Sequence, residues 1–263
     1  MLNVQDGISG YLARMDLFKA CGLEYDNNFK RHDQTHNLVE ICVLDKRADV
    51  DPLAKRISDA LVGRMPEYDP EAEPDEMTGR LPHESISSPL AYIFNELLEN
   101  ALTHGRRAGY RNAQAWVAAQ YYPSKDLIRL AVLDNGCGFL ESLRKHPDMG
   151  EESHLAATRL ALLPRVTCNP DLEIAPHQTA NQGIGLTVVR DIVSHSRGVM
   201  RLVSGDCLLK LSSAPRQYES RITPWQGVIL SIEFKRDPLR GTNIRHIIQA
   251  IRGKSSPRGL RFE

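Results

Sequence analysis

The sequence lacks several features that would assign the chain to a specialised class of protein. Lys plus Arg and Asp plus Glu each number 33 among 263 residues, so no net charge draws the chain toward nucleic acid or an anionic membrane. The five cysteines form no C-x-x-C pair, which argues against a zinc site or a disulfide framework. No segment reaches the roughly 18 consecutive apolar residues of a membrane helix, and Met1 to Leu12 lacks the apolar stretch of a signal peptide. We therefore expect a cytoplasmic protein that binds neither membrane nor nucleic acid.

Changes in composition along the chain predict four parts. A strand over 37–44 and a helix from 51 to 65 predict a small N-terminal α/β segment, residues 1–65. Residues 66–87 are acidic and rich in proline, as expected of a linker or solvated loop. Residues 88–235 then form the main domain. The basic tail, residues 236–263, has isoleucines at helical spacing, and we expect this helix to pack on the domain.

The hydrophobic pattern of the main domain predicts an α+β fold. Helical spacing of apolar residues runs from Pro89 to His104, and the alternating segments 113–122 and 127–133 follow as an antiparallel hairpin. Two more helices and three more strands are predicted at 152–163, 185–196, 199–204, 208–213 and 227–234. This order is not a repeating β-α-β pattern, so it favours a two-layer α/β sandwich with a mixed, mostly antiparallel sheet and helices on one face.

Glu96 and Asn100 lie four residues apart on the first predicted helix of the main domain. They project from the same side and can address one ligand together. Taken alone, such a pair is more often the solvated edge of a surface helix.

Two glycine-containing segments follow. Asp134, Gly136 and Gly138 come directly after an apolar strand, where a carboxylate can accept a hydrogen bond from an exocyclic amine and glycines let the backbone approach a flat base. A lone D-x-G-x-G is more often just the exit from a strand. The second segment opens a helix, whose free N–H groups and dipole favour an anion; it could also simply allow a tight helix entry. It consists of Gly183, Ile184, Gly185 and Leu186.

In this order, the stretches NELLENALTHG, DNGCGF and NQGIGL resemble the N-box and the two glycine boxes of the Bergerat, or GHKL, superfamily of gyrase, heat-shock chaperone, MutL and histidine kinase ATPases. The stretch from Gly183 to Gly205 also resembles bacterial sensor kinases and anti-sigma-factor kinases. The resemblance covers about residues 88–235. It implies a Bergerat fold that binds ATP and Mg²⁺.

The resemblance also implies roles for individual residues. Glu96 matches the glutamate that activates the attacking water or hydroxyl, and Asn100 matches the asparagine that holds magnesium at the phosphates. Asp134 matches the aspartate that reads the adenine amino group, within a wall shaped by Gly136 and Gly138. The segment from Gly183 to Leu186 matches the one beside the phosphates. Between the two glycine boxes, residues 139–182 stand where the superfamily carries its ATP lid, and we hypothesise that this lid is mobile.

Two departures from the superfamily pattern stand out. Val228 follows Gly227 where many gyrase-like members carry a threonine, which puts that hydroxyl contact in doubt, and the second glycine box lacks a leading glycine. The chain also has no H-E-x-x-x-P phospho-acceptor box, so autophosphorylation is not expected. His32 and His36 are interpreted as ordinary surface residues, and Cys137 as a packing residue.

We therefore expect an Mg-ATP-binding regulatory protein that hydrolyses ATP slowly or passes phosphate to a protein partner, with Arg159 and Arg165 as candidates to reach the terminal phosphate. Two alternatives stay open, a nucleotide-sensing adaptor without turnover and an anti-sigma-like serine kinase. The partner is unidentified, and a homodimer is left open.

Overall fold

The computed structural model describes residues 6–24, 38–167, 183–212 and 217–253. His32, His36, Asn181 and Gln182 lie outside these ranges. The elements, in chain order, are α1 (Asp6–Arg14), α2 (Leu17–Ala20), β1 (Leu38–Leu44), α3 (Val50–Val62), α4 (Glu84–Thr103), β2 (Ala115–Tyr122), β3 (Leu127–Asp134), α5 (Gly138–Leu143), α6 (His154–Ala161), α7 (Gly185–His195), β4 (Val199–Ser212), β5 (Gln217–Lys235), α8 (Arg236–Arg240) and α9 (Ile244–Gly253).

The strands form one five-stranded sheet in the order β1-β2-β3-β5-β4, and every described pairing is antiparallel. Side chains alternate between buried and partly exposed along β2, as expected when one face of a sheet carries the core. The predicted α+β sandwich of Bergerat type is therefore confirmed, and its mostly antiparallel sheet is antiparallel throughout the described part.

Helix α4 lies against the buried face of the sheet. Its apolar residues, including Ile86, Leu90, Phe94 and Leu98, are fully buried, which explains why the helical spacing was so clear in the sequence. The helix starts at Glu84, five residues before the predicted start. Pro89 lies in the second turn, where its missing N–H removes one hydrogen bond without ending the helix.

The predicted strands 199–204 and 208–213 were wrong as separate elements, because they form one continuous strand, β4. Gly205-Asp206 resembles a turn in the sequence. In the structure, Gly205 has φ 59° and the register with β5 shifts on both sides of it, as at a β-bulge. The imidazole of His154 packs directly over the Gly205 backbone. Gly205 therefore forms a bulge within β4, between the two segments that were predicted as separate strands.

The predicted N-terminal segment shares this sheet and core. β1 is an edge strand paired with β2, and α3 packs against α4. The hydroxyl of Tyr11 on α1 lies 3.4 Å from Oε1 of Gln120. Gln120 alternates with the buried residues of β2, so α1 reaches the opposite face of the sheet from α4.

The linker contacts the basic tail, and the tail contacts the main domain. Glu67 forms an ion pair with Arg236 and lies 3.4 Å from Arg240, both on α8. Helix α9 packs on α7 and buries Ile247 and Ile251, which agrees with the predicted docking of the tail. Among the helices that the structure describes, none is long and apolar enough to cross a membrane.

Candidate functional site

A cavity of about 470 Å³ opens between α4, the end of β3, the interior of β5 and the start of α7. Its volume lies within the ~300–1,000 Å³ typical of small-ligand sites. The three predicted stretches meet here although they are far apart in the sequence. All the predicted site residues line the cavity except Gly136 and Ile184; those that do are Glu96, Asn100, Asp134, Gly138, Gly183, Gly185 and Leu186.

Asp134 is a buried carboxylate at one end of this cavity, with 4% of the residue exposed. Its Oδ1 accepts hydrogen bonds from the backbone N–H of Gly136 at 2.9 Å and of Val228 at 3.3 Å. Burial raises the pKa of this carboxyl to about 6, against the opposing effect of the two N–H bonds. Both described bonds end on Oδ1, which leaves Oδ2 available to a ligand. Asp134 is therefore an acceptor held in a dry pocket.

Glycines on three sides let the backbone close around Asp134. A β-carbon at Gly136 would lie 2.5 Å from Cα of Gly105, and one at Gly227 would lie 2.7 Å from Oδ1 of Asp134 itself. Gly227 also has φ 101°, a conformation that L side chains rarely adopt. The indole Nε1 of Trp225 donates to the carbonyl oxygen of Asp134 at 3.0 Å. Gly136 thus supports this end of the cavity from behind.

Glu96 marks the opposite end of the cavity, next to the start of α7. Its carboxylate lies so close to Gly185 that any β-carbon there would overlap Oε2. Burial raises the pKa of the Glu96 carboxyl, the nearby Tyr92 hydroxyl partly offsets that effect, and Glu99 adds to it. The Tyr92 hydroxyl is buried near Glu96 and acts on the carboxylate as a hydrogen-bond donor, which favours its ionised form. A carboxylate with a raised pKa is suited to accept a proton.

Asn100 lies between these two ends, one helical turn after Glu96. Its backbone oxygen accepts from the N–H of His104 and of Gly105, where α4 ends against Asp134. His104 also lines the cavity, and burial lowers its pKa to about 4, so its imidazole is neutral at pH 7. Along the cavity wall, the Asn100 amide therefore lies between the carboxylates of Glu96 and Asp134.

A family model described as histidine kinase-, DNA gyrase B-, and HSP90-like ATPase matches residues 86–248, more than half of the chain. The chain belongs to this family. Membership of this GHKL-type ATPase family supports ATP binding by the domain, and the matched region contains the described walls of the cavity from α4 onward. No curated protein matches the chain significantly.

In this GHKL domain, the turn before α7 is fixed by backbone contacts. Gly183 has φ 75°, and its carbonyl oxygen accepts from the N–H of Arg165 at 2.8 Å. Ile184 is buried in the core, so its role is packing, whereas Gly185 and Leu186 face the cavity. The free N–H groups at the start of α7 stand at the Glu96 end.

The predicted lid region of the GHKL domain is partly described. Its first part contains α5 and α6, and α6 packs against β4 with Leu160 buried. After α6, the carbonyl oxygen of Leu162 accepts from Thr187 Oγ1 at 3.2 Å and from Arg190 Nη1 at 3.0 Å, both on α7. Residues 168–182 lie outside the described part, and the mobility of the lid stays a prediction. The described part of the lid region is thus hydrogen-bonded to α7 at Leu162.

Several cavity residues of the GHKL domain were missed in the sequence. Gly105 had a signal, because it directly follows the predicted helix that ends at His104. Arg47 and Glu99 had none, since their role depends on a contact between α4 and the N-terminal segment. Cys137 does not line the cavity, and its Sγ donates to the carbonyl oxygen of His104 at 3.2 Å.

Proposed function

We propose that the chain binds Mg-ATP in this cavity and either hydrolyses it slowly or passes its terminal phosphate to a protein partner. The observation that carries the proposal is the buried Asp134 carboxylate, which has one oxygen held by backbone N–H groups and the other available to a ligand. An adenine amino group is the donor that fits this acceptor, and the surrounding glycines allow a flat base to approach closely.

The opposite end of the cavity suits the phosphates. The start of α7 offers backbone N–H groups and the positive end of a helix dipole, which favour an anion. Gly183 and Gly185 place no side chain of their own beside these N–H groups, and the Glu96 carboxylate lies next to Gly185. Adenine at Asp134 and phosphates at Gly183 and Gly185 therefore orient the nucleotide along α4.

The donors along α4 fit a magnesium ion. The Asn100 amide and the Glu96 carboxylate are oxygen donors on one side of the helix, and Mg²⁺ binds few protein oxygens while retaining water and phosphate oxygens. When bound, the ion would neutralise charge on the phosphates. In our proposal Asn100 holds the ion, and Glu96 takes a proton from the attacking water or hydroxyl. Burial raises the pKa of Glu96, which strengthens it as a base.

The test is to measure phosphate release and partner phosphorylation by the wild type and by Glu96→Ala. We expect the variant to lose both activities while it still binds ATP. Glu141→Ala removes a carboxylate that does not line the cavity, and it serves as a control that should retain activity. Turnover by Glu96→Ala at the wild-type rate would refute the assigned role of Glu96.

Two alternatives give different results in the same assay. A nucleotide-sensing adaptor would bind ATP, and both the wild type and Glu96→Ala would be inert. An anti-sigma-like serine kinase would transfer phosphate to a serine of a co-purified partner in an ATP-dependent reaction. The partner, the use of magnesium and a cytoplasmic location all belong to the proposal.

A further inference from the structure

Arg47 provides positive charge in a cavity wall that is otherwise acidic. The lining carboxylates are Glu96, Glu99 and Asp134, and Arg47 is the single lysine or arginine among the lining residues that the structure describes. His104 adds no charge at neutral pH, because burial lowers its pKa to about 4. A phosphate chain in this cavity would therefore face one guanidinium and several carboxylates.

The segment between the two cavity residues Thr167 and Gly183 contains no lysine or arginine. It comprises residues 168–182 and reads CNPDLEIAPHQTANQ. The two arginines considered from the sequence do not line the cavity. Arg165 Nη2 donates to the carbonyl oxygen of Arg252 on α9 at 3.2 Å, and Arg159 lies on α6.

Arg47 lines the cavity from its exposed side and pairs there with Glu99. It begins a short 3₁₀ turn between β1 and α3, and its Nε donates to both carboxylate oxygens of Glu99, at 3.1 and 2.9 Å. Glu99 immediately precedes Asn100 on α4. The Arg47 side chain is 71% exposed, and an ion pair this exposed contributes little to stability. The guanidinium is thus tethered beside the proposed metal ligand and is free to change partner.

We infer that Arg47 binds a phosphate group of the nucleotide and so couples the N-terminal segment to the occupied site. This inference rests on the proposed function. Arg47 lies outside the family-matched residues 86–248, so the family match does not itself assign it a role. A guanidinium offers several N–H donors in a fixed plane, and this arrangement matches the several acceptor oxygens of a phosphate group. The pair with a single carboxylate does not need all of these donors.

The test compares ATP with adenosine by titration calorimetry in the presence of Mg²⁺. For Arg47→Ala we expect the affinity for ATP to fall about tenfold and the affinity for adenosine to change less than about twofold, because adenosine has no phosphate for the lost donors. Lys46→Ala removes the same charge at the neighbouring residue, which does not line the cavity, and should leave both affinities unchanged. Equal effects of Arg47→Ala on ATP and adenosine, or no effect on either, would overturn the inference.

Glu99→Gln separates phosphate binding from a merely structural role. If Arg47 only holds Glu99 in place, breaking the ion pair by Glu99→Gln should lower the affinity for ATP to the same extent as Arg47→Ala does. If Arg47 binds phosphate, Glu99→Gln frees the guanidinium and removes a carboxylate from the wall, so ATP should bind at least as tightly as to the wild type. If the wild-type protein bound no ATP, the proposed function itself would be refuted. If the wild type bound ATP and Arg47→Ala bound it equally well, only the inference about Arg47 would be refuted.

Discussion

The carboxylate of Glu96 on α4 lies against the backbone of Gly185 at the start of α7, and this close approach is possible because Gly185 has no side chain. This contact brings the proposed base to the helix N-terminus that we assign to the phosphates. It also makes Gly185 a position where one methyl group would displace Glu96 while leaving the Glu96 side chain chemically intact.

Gly185→Ala should therefore lower the rate of catalysis with little effect on the stability of the fold. The added β-carbon meets the end of a flexible side chain, so we expect a loss of unfolding free energy of no more than about 1 kcal/mol. Phosphate release should fall about as far as in Glu96→Ala. Denaturant unfolding and a phosphate assay on the same preparation check both parts. Wild-type turnover by Gly185→Ala would show that the position of Glu96 at this contact is unimportant.

Asp134→Asn should stabilise the fold while abolishing nucleotide binding. The asparagine keeps Oδ1 for the N–H groups of Gly136 and Val228, removes a buried charge, and presents an amide donor where adenine requires an acceptor.

The stability gain of Asp134→Asn should depend on pH with a defined sign. The pKa of Asp134 is raised from 3.8 to about 6 on folding, so ionisation disfavours the folded state above pH 6 and has no effect below about pH 4. We expect the variant to gain up to about 3 kcal/mol at pH 8, and the gain to disappear as pH falls through this window. Denaturant unfolding of both proteins at pH 8 and at about pH 4 measures this difference in stability. A variant less stable than wild type at pH 8 would contradict the burial argument.

Asn100→Ala should remove the magnesium dependence of nucleotide binding. Wild-type protein is expected to bind ATP more tightly with Mg²⁺ than with a chelator, because the amide oxygen helps to hold the ion at the phosphates. The variant should bind ATP with the same weak affinity in both conditions and should retain adenosine. Calorimetry with and without chelator measures this difference. If magnesium tightened ATP binding equally in both proteins, Asn100 would not be a metal ligand.

Gly205→Ala should destabilise the protein more than its backbone conformation alone requires. Gly205 and Gly79 both have positive φ, 59° and 66°, but a β-carbon at Gly205 would overlap the His154 ring, whereas one at Gly79 meets nothing within 4 Å. We expect Gly79→Ala to cost about 1 kcal/mol of unfolding free energy and Gly205→Ala roughly 2 kcal/mol more. Thermal or denaturant unfolding of the pair measures the difference. Equal costs would mean that His154 moves aside freely.

The sequence could predict the elements whose patterns are local. The apolar stripe of α4 and the Gly-x-Gly entry of α7 predicted where these helices lie in the sequence. Helix α7 was predicted at 185–196 and is observed at Gly185–His195, and α4 ends within one residue of its predicted end. The order of the polar and glycine residues then identified the family. Predicting each helix needs only the pattern of one segment, so no knowledge of the fold was required for it.

Features that depend on distant contacts could not be predicted in this way. Strand β4 was predicted as two strands, because only its pairing with β5 shows that the chain continues through a bulge at Gly205. Arg47 had no signal in the sequence, because it reaches the cavity through Glu99 on another element. The glycine contact between Gly105 and Gly136 likewise exists only once α4 has packed on the sheet.

The most direct test of the central claim is titration of the wild type and Asp134→Ala with ATP and Mg²⁺. We predict that the wild type binds ATP and that the variant loses about 1.5–3 kcal/mol of binding free energy, since the adenine amino group loses its charged acceptor. Equal affinity of the two proteins for ATP, or a wild type that binds no ATP, would contradict the assignment of this cavity as the nucleotide site.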